Sequence, residues 1–145
     1  MKIKRISLHT IREMILFLIG GFVYHSIEIG FRRYSHWSMF ILGGICFVLI
    51  GLLNEWFTND IPLISQMFIS MIIITTLEFL FGCILNLWLK LGIWDYSYQP
   101  YNLCGQICLL FTNIWFLLSS IGIILDDYIR WIFFREEKPH YRIFM

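Results

Sequence analysis

The chain has 145 residues, of which 59% are hydrophobic and only 14% are charged. A soluble domain carries about 25% charged residues, so a soluble fold of this length could not bury so much apolar surface. The net charge of +1 gives no electrostatic reason to expect a nucleic-acid partner. The composition therefore predicts one membrane domain over residues 1–145, surrounded by lipid.

Four apolar segments are each long enough to cross a bilayer, which takes about 20 helical residues. Backbone amides cannot stay unpaired in lipid, and these segments lack the alternation of barrel strands, so we expect helices. Their short connections make consecutive helices antiparallel neighbours. The sequence thus predicts an all-α, polytopic bundle of four transmembrane helices, at about residues 11–30, 37–57, 61–88 and 103–125.

The basic residues predict the orientation, because Lys and Arg concentrate in cytoplasmic segments. With four helices, both termini and the second loop lie on one side. That side holds Lys2, Lys4, Arg5, Arg12, Arg130, Arg135, Lys138 and Arg142, and the other holds Arg32, Arg33 and Lys90. We expect cytoplasmic N- and C-termini, an ordered polar outer loop at 91–102, and a cytoplasmic interfacial tail at 126–145.

Glu78 is the clearest ionisable residue within a predicted span, with no other charge within ten residues on either side. A carboxylate there costs on the order of 2.5 to 3.5 kcal/mol on insertion scales. Helical spacing places Thr75, Gly82 and Asn86 on roughly the same face. We expect Glu78 to face the bundle, where it either binds or relays a proton or cation, or accepts a structural hydrogen bond.

Other polar residues fall at a similar predicted depth in the outer half. Glu28 either joins Glu78 or pairs with Arg32 one helical turn away, and Asp95 and Asn102 either bind a ligand or fix the loop. The candidate substrate- or ion-binding residues are Glu78, Glu28, His25, Asn86, Asp95, Asn102 and Gln106.

Metal and cofactor sites have little support in the sequence. His25 lies near a glutamate, which leaves metal binding open but weakly indicated. The cysteines, including Cys104 and Cys108 at one-turn spacing, are interpreted as packing residues. The sequence holds no Gly-rich phosphate loop, nucleophile elbow or zinc-protease motif. We expect no cofactor.

Part of the chain resembles a known family. The segments 94–97 (WDYS), 100–103 (PYNL) and 105–109 (GQICL), together with Glu78, Gly82, Phe111 and Trp115, resemble small bacterial membrane proteins of the CmpB-like family, labelled putative ABC-transporter permease of type IV. The resemblance covers mainly residues 75–120. It implies a multipass permease of the bacterial inner membrane.

These patterns favour a small transport-type protein, a permease for an ion, a proton-coupled substrate or a small solute. We expect a homo-oligomer, because four helices make a thin wall around any pathway. The alternative is a non-catalytic membrane subunit or assembly factor that binds a protein partner or lipid. A membrane-embedded enzyme is the third interpretation, supported only by the shared predicted depth of Glu28, His25, Glu78 and Asp95.

Overall fold

The computed structural model describes residues 2–57 and 61–144, and their side chains from Leu8 onward. Most of this part of the chain is helical. The elements in chain order are α1 (Lys2–Arg32), α2 (Trp37–Gly51), α3 (Leu53–Trp56), α4 (Leu63–Gly82), a π-helical turn (Cys83–Trp88), β1 (Asn102–Leu103), β2 (Ile107–Cys108) and α5 (Leu109–Phe134). The predicted connection at 58–60 lies outside the described residues.

Four of the helical segments are long and apolar enough to span a membrane. They are Leu8–Arg32, Trp37–Trp56, Leu63–Trp88 and Leu109–Phe134. Large apolar side chains such as Phe22, Ile72 and Ile121 are exposed on the outside of the bundle, where lipid can cover them. The predicted all-α, four-helix membrane fold is confirmed, and the orientation of its termini stays a prediction.

Glycines let α1 and α2 approach closely. A Cβ atom added to Gly20 would lie 2.2 Å from Cβ of Phe47, and one added to Gly43 would lie 2.5 Å from Cβ of Tyr24. Small residues commonly allow such close packing between membrane helices. Close packing matters there because lipid solvates apolar helix surfaces as well as another helix does. The two helices therefore form a tight pair.

The fourth spanning helix differs from the prediction at both ends. The sequence predicts it at 103–125, but α5 runs from Leu109 to Phe134. At its start, β1 and β2 pair antiparallel, and the intervening Cys104 and Gly105 adopt positive φ angles of 54° and 69°. Positive φ angles lie outside the right-handed helical region. The chain is therefore not helical through this turn, and α5 begins after β2.

At its other end, α5 continues through residues that the sequence assigned to an interfacial tail. Asp126, Asp127 and Arg130 are buried inside the bundle. They have hydrogen-bonding partners there, so their charge does not end the helix. The non-helical tail begins at Arg135, nine residues later than expected.

The two ends of the bundle differ in character. At one end, which we call the cap end, residues 91–108 fold over the helices as a cap. Ile93 and Trp94 of the cap form a hydrophobic core with Met39, Leu42, Cys46 and Leu85. At the opposite, terminal end, Arg12 of α1 contacts Glu136 of the tail. The first turns of α1 and the tail therefore lie toward the same end.

Candidate functional site

Glu78 lies in α4 in the interior of the bundle, and only 3% of its surface is exposed. Its Oε1 accepts a hydrogen bond of 3.0 Å from the Tyr96 hydroxyl. Its Oε2 accepts one of 2.8 Å from Nε1–H of Trp115 in α5. Each carboxylate oxygen therefore has a neutral donor, one supplied by the cap and one by a neighbouring helix.

A cavity of about 180 Å³ adjoins Glu78 between α1, α2, α4 and α5. Among the described residues that line it, Glu78 alone carries a formal charge, and most of the others are apolar. The rings of Tyr24 and Trp115 lie 5.9 Å apart on its wall. A single carboxylate in so apolar a cavity is suited to bind a proton or a weakly hydrated cation, because water competes little there.

The cap positions the tyrosine that contacts Glu78. The backbone N–H of Tyr96 donates to the Gly105 carbonyl at 2.7 Å, and its ring stacks on Phe111 with centroids 4.7 Å apart. Burial, together with the nearby Glu78 carboxylate, raises the pKa of the Tyr96 hydroxyl. Tyr96 therefore stays protonated and remains a hydrogen-bond donor.

Asn86 and Gln106 join the π-helical turn to the cap. Asn86 donates to Oε1 of Gln106 at 2.9 Å and accepts a 2.7 Å bond from the Ile93 amide. The side-chain amide of Gln106 donates to the Cys104 carbonyl, and the backbone carbonyl of Gln106 accepts the Trp94 indole N–H. Because the side-chain amides of Asn86 and Gln106 bond to other protein groups, they hold the cap over Glu78.

Asp95 and Asn102 shape the exposed part of the cap. Asp95 accepts hydrogen bonds from the hydroxyl and the backbone amide of Ser97, which hold the pKa of its carboxyl below the ordinary value. Asn102 donates to the Gln99 carbonyl at 2.8 Å and accepts a 3.0 Å bond from the Gly105 amide. In the structure, neither side chain lines the cavity beside Glu78.

Glu28 is buried at the cap end of α1 and forms the ion pair with Arg32 that one-turn spacing allowed. Arg32 donates to it at 2.8 Å and Ser35 at 2.6 Å, while Arg32 also donates to the Ile93 carbonyl at 2.6 Å. This group therefore anchors α1 to the cap.

His25 lies against Phe40, with ring centroids 6.5 Å apart, and its buried Nδ1 has no hydrogen-bond partner among the described residues. The hydrogen bonds of Glu28, Glu78 and Asp95 run to different residues. Their similar predicted depth in the membrane therefore does not bring these residues into one hydrogen-bonded cluster.

A buried charge cluster, which the sequence did not predict, lies at the terminal end. The Arg130 guanidinium donates twice to Glu13 at 3.0 Å, to Glu55 at 2.7 Å and to Asp126 at 2.7 Å. Only 3% of Arg130 and none of Asp126 is exposed. The i,i+4 spacing of Asp126 and Arg130 was the one local signal, because Glu13 and Glu55 come from distant parts of the chain.

The same cluster includes a group with metal-ligand chemistry. His9, Glu13 and Glu55 each place one ligand atom within 4.8 Å of the others. The Arg130 guanidinium, however, already bonds both oxygens of Glu13 and one oxygen of Glu55. A fixed positive charge thus takes the place that a metal ion would need.

Four spanning helices around a buried carboxylate define a polytopic α-helical membrane protein. The model of the family described as "Putative ABC-transporter type IV" matches residues 15–135. The chain belongs to that family, so the resemblance inferred from residues 75–120 is confirmed and extends over most of the sequence. No curated protein and no solved structure shows significant similarity to the chain.

Proposed function

We propose that the chain is a transport-type membrane protein, a permease or permease subunit of the bacterial inner membrane, with Glu78 as its intramembrane site for a proton or cation. The observation that carries this proposal is the burial of the Glu78 carboxylate in the wall of an otherwise apolar cavity. Membership of a family described as an ABC-transporter type supports the transport context.

The surroundings of Glu78 suit both of its protonation states. Hydrogen bonds from Tyr96 and Trp115 stabilise the ionised carboxylate, because charge-assisted bonds are stronger than neutral ones. The apolar cavity stabilises the protonated form, which has no charge to hydrate. A group that exchanges a proton for a substrate needs both states to be accessible.

One side of the cavity lies at the lipid-facing surface and favours packing of a second copy of the chain. Val23 and Ile27 of α1, and Leu118 and Ile121 of α5, line it and are partly exposed at the lipid-facing surface. A second copy packed there would complete the wall around the cavity, which supports a homo-oligomer. The sequence holds no phosphate-binding loop, so any ATP-driven step would take place on a partner protein.

A second candidate function is a non-catalytic membrane subunit or assembly factor that binds a partner protein or lipid. Its support is that protein donors already bond both oxygens of Glu78, and protein groups bond the amides of Asn86 and Gln106. In this role Glu78 would position the cap against α5, and the partly open cavity would receive an apolar segment.

Flux through proteoliposomes separates the two functions. We expect Glu78→Gln to abolish proton flux, followed with an enclosed pH-sensitive dye under an imposed sodium or potassium gradient, and to leave the melting temperature nearly unchanged. Glu137→Gln, at an exposed tail carboxylate, is the matched control and should retain flux. Unchanged flux in Glu78→Gln, with lower stability or lower recovery of a stoichiometric partner, would overturn the transport proposal and favour the alternative.

A further inference from the structure

A second, larger cavity lies at the terminal end of the bundle, remote from the cap. It has a volume of about 470 Å³ and is lined by the end of α2, by α3, by the start of α4, by the end of α5 and by the tail. The tail covers it through two contacts. Tyr141 donates its hydroxyl to Oδ2 of Asp127 at 2.7 Å, and the Leu63 amide donates to the Arg142 carbonyl at 2.8 Å.

Two buried acceptors lie on the cavity wall, Asp127 and Gln66. Asp127, 9% exposed, accepts bonds from Asn54 and Tyr141, which are both neutral. Gln66, 4% exposed, donates to the Ile61 carbonyl, but its Oε1 has no partner in the described part of the chain. Leaving such an acceptor dry costs about 1 to 3 kcal/mol, which a ligand with N–H groups can recover.

The buried cation Arg130 does not meet this need. Arg130 also lines the cavity, but its guanidinium is bonded to Glu13, Glu55 and Asp126. The Asp127 carboxylate is a buried anion whose hydrogen-bond donors, Asn54 and Tyr141, are neutral.

Basic groups also line the cavity, beside the carboxylates of Glu136 and Glu137. Arg135 and His140, at the start of the tail and within it, line the cavity. A volume of about 470 Å³ falls within the roughly 300 to 1,000 Å³ of small-molecule sites and is far larger than a bare metal ion needs. The chemistry that matches a lining with both carboxylates and basic groups is a small molecule with an ammonium at one end and an anionic group at the other.

We infer that the terminal cavity binds a phosphoethanolamine-like zwitterion, with its ammonium at Asp127 and Gln66 and its anionic group toward Arg135 and His140. The tail is the cover of this site, because Tyr141 bonds the same carboxylate that holds the ammonium. The ligand is either a free solute or the headgroup of a phospholipid, since both present the same two charges. This site is independent of Glu78 and of the transport proposal.

Calorimetric titration of the full chain in phosphatidylcholine nanodiscs with O-phosphoethanolamine tests the inference. We expect saturable binding that Asp127→Asn and Gln66→Met each weaken about tenfold or more, the factor lost with a hydrogen bond to a charged group. Asparagine can still accept bonds from Asn54 and Tyr141, which preserves the fold around position 127. Glu78→Gln should bind like the wild type, so failure at this site is distinguishable from failure of the transport proposal.

A second lipid composition identifies the source of the ligand. In phosphatidylethanolamine nanodiscs the free probe should bind more weakly if a lipid headgroup fills the cavity, and equally well if the natural ligand is a free solute. The inference is overturned if the wild type shows no saturable binding in phosphatidylcholine nanodiscs, or if both cavity variants bind like the wild type.

Discussion

Arg130 and Glu13 stand 117 positions apart in the sequence and meet through two hydrogen bonds of 3.0 Å each. The paired nitrogens of a guanidinium match the two oxygens of a carboxylate, so this contact fixes both distance and orientation. The same guanidinium also reaches Glu55 of α3 and Asp126 of α5. One side chain therefore joins α1, α3 and α5 at the terminal end.

Replacing Arg130 by Met should destabilise the protein by about 3 to 5 kcal/mol, because it leaves buried carboxylates without their cation. Reversible unfolding in mixed detergent micelles measures the change. Arg12→Met is the control, since Arg12 makes a partly exposed 3.3 Å contact with Glu136 and its loss should cost less than about 1 kcal/mol. Equal stability of the two variants would show that the cluster contributes little.

Gly51 and Gly30 form a matched pair for testing the contact between α2 and α5. A Cβ at Gly51 would lie 2.3 Å from Cγ of Asp126, whereas one at Gly30 would meet nothing within 4 Å. Gly51→Ala should therefore cost about 1 to 3 kcal/mol through overpacking. Gly30→Ala should be neutral or stabilise by up to about 1 kcal/mol through helix propensity. Thermal unfolding of both variants checks the contrast, which a tolerated Gly51→Ala would contradict.

Ser97→Ala should raise the pKa of Asp95 toward its ordinary value, because the hydroxyl bond that favours the ionised carboxylate is lost. A depressed folded-state pKa stabilises the cap at neutral pH, and this contribution is lost as the pH falls through that pKa. The variant should therefore lose it at a higher pH than the wild type. Carbon-13 NMR titration of labelled aspartate carboxyls measures the shift, and Ser120→Ala should leave the Asp95 titration unchanged.

Local patterns in the sequence predict much of the fold. Hydropathy is a property of neighbouring residues, so the four spanning segments are found, and the helical period places Glu78 on an inward face. The donors to Glu78 are not predictable in this way. Tyr96 and Trp115 lie 18 and 37 positions further along the chain, and their approach depends on how the cap and α5 pack.

The end of α5 shows why the remaining errors arose. A run containing Asp126, Asp127 and Arg130 has the composition of a helix end in the headgroup region, and nothing in that run reveals that it is buried. Its burial depends on Glu13 and Glu55, which other helices supply. The paired strands were missed for a related reason, since two residues in each strand give no periodicity to detect.

The Arg130 cluster also sets an order of events during synthesis. At roughly 5 to 20 residues per second, the 117 positions between Glu13 and Arg130 take about 6 to 23 s to translate. During that interval Glu13 and Glu55 enter the membrane boundary without their guanidinium. The terminal end of the bundle can lock only after the helix that carries Arg130 has left the ribosome, even if the helices insert one by one.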